Sequence, residues 1–114
     1  MIVAEGALEI RISELGVRLY RLGTEEMEWH IGWDEITKIA VWKDDVFAYD
    51  IISMGFAWAG TDGYKGVDEE MKGWDALVQE IERRFGVAQS SWWSNVAFPA
   101  FATNHQVIWR KATV

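Results

Sequence analysis

The chain changes its hydrophobic period once. Up to Val67 apolar residues recur at every second position, and from Trp74 to Phe85 they recur every three or four. Leu8, Ile10 and Ile12 alternate with Glu9, Arg11 and Ser13, the period of a strand with one buried face. Glu14-Leu15-Gly16 supplies a turn. Val17 and Leu19, with the aliphatic stem of Arg21, then continue on a second strand as far as Leu22-Gly23. Met27, Trp29 and Ile31 alternate with Glu28 and His30 up to Gly32. Trp33-Asp34-Glu35-Ile36 bends before a strand from Thr37 to Trp42, after which the charged triplet Lys43-Asp44-Asp45 breaks the pattern. A longer strand follows from Phe47 to Ala59, its apolar run dense enough to be covered on both faces. Asp62-Gly63 signals a hairpin, because both residues tolerate positive φ, and Tyr64 to Val67 is the return strand. Six strands with short connections predict an antiparallel meander.

The second period is helical. Trp74, Leu77, Val78, Ile81 and Phe85 stand at i, i+3, i+4, i+7 and i+11 and fall within an arc of roughly 100°. Asp68, Glu69, Glu70 and Asp75 lie near its start, while Arg83 and Arg84 occupy its last turn; both placements suit the helix dipole. Glu80 and Arg84 are spaced for an ion pair, and Gly86 is a natural terminator. Beyond it, Ser90-Ser91 is placed to cap a short helix over Trp92–Val96. An apolar, irregular stretch from Phe98 to Asn104 follows. Val107 and Trp109, alternating with Gln106, Ile108 and Arg110, then predict a final strand. This tail is too apolar to dangle in water, so it packs on its own domain or on another chain.

These elements predict one α+β domain over residues 1–114. Residues 6–86 form a bent antiparallel sheet of about six strands packed by one amphipathic helix, and 87–114 form an aromatic-rich, packed C-terminal extension. The order of elements, the tryptophan-containing bend Trp33-Asp34-Glu35-Ile36 and the helix start Gly73-Trp74 resemble small bacterial pleckstrin-homology-like domains. That resemblance covers residues 6–86 and implies a pleckstrin-homology-like or half-barrel fold; a sheet flanked by helices without barrel closure is the rival.

Composition narrows the partners. Eighteen acidic residues against 11 basic ones give a net charge of −7. That field repels phosphate backbones and anionic headgroups, so neither nucleic acid nor membrane is expected as a partner. It suits a basic protein, although acidity also serves solubility. The absence of cysteine excludes disulfides, thiolate chemistry and cysteine-bound zinc or iron–sulfur clusters. Met1 to Gly6 lacks a basic n-region and does not read as a signal peptide. No apolar run is long enough to cross a bilayer. A cytoplasmic location is the expectation.

The catalytic inventory is thin. His30 sits on the polar side of a strand and His105 at a turn, neither in a ligand-gathering spacing. No nucleophile elbow, phosphate loop or zinc-helix motif is present. Asp44, Asp45 and Asp50 match no calcium loop, and Gly60, Gly63 and Gly66 flank a hairpin rather than open a helix. No catalytic residue, cofactor or metal is expected. The eight tryptophans are the unusual feature, since each buries about 150–250 Å² and a few suffice for one core. Adjacent Trp92 and Trp93 cannot point the same way. One therefore plugs the core while the other faces a neighbour or a pocket. With Phe98, Phe101 and Trp109 they are the candidate binding residues, because aromatics dominate interface hot spots; the alternative is that they seal the open end of the sheet. The expected function is a non-catalytic protein-interaction module, with self-association through the tail as one form. An immunity protein that neutralises a basic toxin is another, a class that small acidic bacterial domains resemble. The alternative is a small-ligand or peptide-binding domain with a tryptophan-lined pocket.

Overall fold

The computed structural model describes residues 7–46, 49–99 and 103–112. Three strands, β1 (Leu8–Ile12), β2 (Gly16–Arg21) and β3 (Met27–Gly32), form one antiparallel sheet in chain order. A single 3-10 turn over Trp33–Glu35 then leads into β4 (Ile36–Val46), which does not pair with β3. Instead β4, β5 (Tyr49–Trp58), β6 (Lys65–Asp68) and β7 (Gln106–Arg110) build a second antiparallel sheet in the order β6-β5-β4-β7. The expected single bent sheet of six strands is therefore two sheets, of three and four strands. The meander breaks at Trp33–Glu35 because a helical turn carries the chain away where a hairpin would fold it back.

Lys43-Asp44-Asp45 does not break the pattern either. It continues β4, with Lys43 opposite Ile52 and Asp44 opposite Ile51. Along β4 one face carries Ile39, Val41 and Lys43, and the other carries Lys38, Ala40, Trp42 and Asp44. Lys43 thus occupies a core-facing position, which a reading by hydrophobicity takes for a turn.

Helix α1 (Trp74–Phe85) follows the predicted stripe, burying Trp74, Leu77, Val78 and Ile81. Each such side chain withdrawn from water contributes about 1.5–3 kcal/mol. Its start is fixed by Gly73, whose φ of 96° is left-handed. A Cβ there would lie 2.2 Å from the Ile10 carbonyl oxygen, so only glycine lets the helix approach β1 this closely. The Ile10 N–H donates to Lys72 O at 2.8 Å, tying the same junction. Gly86, also left-handed, ends the helix by donating to Glu82 O.

The core is continuous between the layers. Val17, Leu19 and Ile31 from the first sheet meet Ile39, Val41, Met54, Phe56 and Val67 from the second, the apolar face of α1, and Trp92 and Val96 from the tail. The tail contains a 3-10 turn over Gln89–Ser91 and a short α2 (Trp93–Ala97), so the predicted helix begins one residue later than expected. Neither serine caps α2; Trp92 precedes it, and Ser91 Oγ donates to Ala88 O. None of the helices is long and apolar enough to cross a membrane.

Candidate functional site

The tail reaches β4 through a polar grip. Lys43 is 4% exposed. Its ammonium lies 3.4 Å from Asp50 Oδ2 and donates to the Ala97 carbonyl at 2.9 Å and to the Pro99 carbonyl. Asn104, held at φ 50°, donates from Nδ2 to Val96 O, Phe98 O and Pro99 O. Four consecutive carbonyls at the end of α2 thus receive a cation and an amide, the chemistry that carbonyls at a helix C-terminus require. From there the chain enters β7, which is bracketed by hydrogen bonds from Lys43 N to Thr103 O and from Lys111 N to Thr37 O.

The structure scatters the aromatic residues singled out in the sequence. Trp92 is 1% exposed and belongs to the core, its indole N–H without a hydrogen-bond partner among the described residues. Trp93 packs partly buried beside it, ring centroids 6.1 Å apart. Phe98 is 70% exposed. Phe101 lies outside the described residues. Trp109 stands elsewhere, edge-on to Phe85 at 4.6 Å. No ring contact joins Trp109 to Trp92, Trp93 or Phe98 among the described residues. Trp109 instead joins Trp33, Ile36 and Phe85 in a notch beside β7, with Asp34, Arg84 and Lys111 at its mouth.

The histidines stay outside the core. His30 is exposed, and His105 stacks on Trp42 with its Nε2 3.5 Å from the Tyr64 hydroxyl. Trp42 and Tyr64 lie over Gly55, where a Cβ would meet both rings at under 3 Å. Ser53 donates to Asp44 at 2.7 Å, so its hydroxyl proton points to an acceptor that the Trp42 indole also uses. Among the described residues no three histidines or carboxylates gather as a metal site would require.

Charge pairing picks out a different surface. Six of the 11 basic side chains make ion pairs: Arg11, Arg21, Lys43, Lys72, Arg83 and Arg84. Of the other five, Lys38, Arg110 and Lys111 line one open groove of about 420 Å³ with Thr37, Trp58 and Thr61. A fourth, Lys65, lies 4.4 Å over the Trp58 ring. Among the described residues no carboxylate lines the groove. Lys38 and Arg110 stand directly opposite each other across β4 and β7, a like-charge arrangement that costs about 0.2–1 kcal/mol. Three cations without an ion pair among the described residues, in a chain of net charge −7, make a local reversal of sign.

Sequence reading missed this groove because Lys38 joins Arg110 and Lys111 only when β7 pairs with β4. The available signal was Arg110-Lys111, one of two adjacent basic pairs in the chain. No protein family, curated protein or solved structure matches the chain.

Proposed function

We propose that this protein is a non-catalytic interaction module that holds a carboxylate-rich segment of a protein partner in the groove of Lys38, Arg110 and Lys111. One observation carries the reading: three basic residues line a concave surface that has no carboxylate among its described lining residues, although the chain holds 18 acids. Guanidinium and ammonium groups pair with carboxylates by charge-assisted hydrogen bonds, and Trp58 offers an amphipathic wall beside them. The groove is open and shallow, which fits an extended segment better than an enclosed small molecule. Net charge steers at long range toward basic surfaces, whereas local sign decides what docks. The groove therefore favours the peptide-binding form of the interaction reading. The run of strands closed by α1 supports a pleckstrin-homology-like reading of the chain as far as Phe85, to which β7 is an addition.

Calorimetric titration with a glutamate-rich peptide tests the function. The expected result is binding that weakens steeply with salt and is lost in Lys38→Glu/Arg110→Glu. Equal binding of an uncharged peptide, or full affinity in the double variant, rejects the reading.

A further inference from the structure

The groove runs over β5 and β4 as far as β7, the strand that ends its sheet among the described residues. The backbone bonds of β7 among those residues go only to β4. Edge strands present N–H and C=O groups that another chain can pair with. Gln106, Val107, Ile108 and Trp109 are all half-buried, unlike the fully buried middle of β5. The register shifts between Ile39 and Ala40, leaving Ile108 as an extra residue between two paired couples, Gln106-Val107 and Trp109-Arg110.

The consecutive residues Trp109 and Arg110 face opposite ways. Trp109, opposite Ile39, looks into the notch with Phe85, while Arg110, opposite Lys38, looks into the cationic groove. Lys111 borders both. A strand laid along this edge would show its own side chains to the same two surfaces in alternation.

Building on the proposed function, we propose that the partner segment adds to the free edge of β7 as a short extended strand. Acidic residues at every second position meet Arg110 on one face of β7, and apolar residues between them meet Trp109 on the other. Charge complementarity selects an acidic partner strand over a second copy of this chain, whose own β7 would bring Arg110 and Lys111 to the same edge.

The test uses the full chain and capped peptides of alternating glutamate and valine, about six residues long to match a typical strand. Three comparators are a block arrangement of the same composition and two N-methylated forms, blocked on odd or on even amides. The alternating peptide is expected to bind roughly 10-fold more tightly than the block peptide, the scale of a few hydrogen bonds and a buried side chain. One N-methylated form should lose at least that factor and the other little, because only alternate amides of an added strand point at its neighbour. Trp109→Ala should erase the advantage of alternation and leave the salt-dependent attraction to glutamate. Equal binding of all four peptides overturns strand addition while leaving the groove reading intact. Failure of every acidic peptide overturns both. A dimer seen by light scattering that Arg110→Glu disperses names a second copy as the occupant and also overturns the proposal.

Discussion

The two adjacent basic pairs of this chain meet opposite fates. Arg83 and Arg84, in the last turn of α1, converge on Glu80, with hydrogen bonds of 2.7–2.9 Å, and Arg84 also reaches Glu14. Those two guanidinium groups hold the Glu80 carboxyl down at about 2, well below its ordinary value. Arg110 and Lys111, at the end of β7, have no carboxylate partner among the described residues, and Arg110 faces another cation, Lys38. Cations near acids, in a chain rich in acids, are what a fold settles for by default. The first pair is answered within the fold, whereas the second offers its charge to solvent or to an acidic partner of the kind proposed.

The sharpest test of this contrast is the most deeply answered cation. Lys43→Met removes the ammonium from Asp50 and from the Ala97 and Pro99 carbonyls. It should cost about 3–5 kcal/mol, the scale of breaking a buried pair from one side, as a fall in the urea midpoint. A loss under 1 kcal/mol would mean that the tail does not depend on this grip.

Next comes Glu80→Gln, which should lower the urea midpoint at neutral pH. Because the folded-state carboxyl titrates below its unfolded value, its contribution is complete above about pH 4.5 and fades as pH falls toward 2. The variant and parent should therefore converge at pH 2; a gap that persists there would assign the effect to packing. The smallest change is expected at the unanswered cations. Arg110→Gln should leave stability within about 0.5 kcal/mol of the parent, or raise it by relieving Lys38. A clear destabilisation would make Arg110 a structural residue and remove the contrast.

Much of the architecture could be read from local pattern. The stripe from Trp74 to Phe85 stands where its period places it, because burial imposes that period directly, and the strands lie close to their expected ranges. The alternation itself fails at two register shifts: Tyr20 is buried and Arg21 exposed in β2, and Val107 and Trp109 of β7 stand opposite Ala40 and Ile39, on different faces of β4. What alternation does not encode is which strands pair. The division into two sheets depends on the helical turn at Trp33–Glu35, and the placing of β7 beside β4 depends on contacts across most of the chain. Lys43 misled for a related reason. Its charge is answered by Asp50 across the β4–β5 hairpin and by the carbonyls of Ala97 and Pro99, and those carbonyls carry no signal near residue 43. The aromatic candidates were legible as packing residues in Trp92 and as a site component in Trp109. The cations around Trp109 carry no signature until the strands are joined.

The two hydrogen bonds that bracket β7, at Thr103 and at Lys111, fix where this strand sits along its neighbour. A slip by a single residue would turn Trp109 outward and Arg110 inward, exchanging an oily surface for a charged one. Whatever identity this end of the molecule presents is thus set by alignment as much as by composition. Adding or deleting one residue within the strand, between Gln106 and Trp109, would set those faces against the bond that holds Lys111 to Thr37.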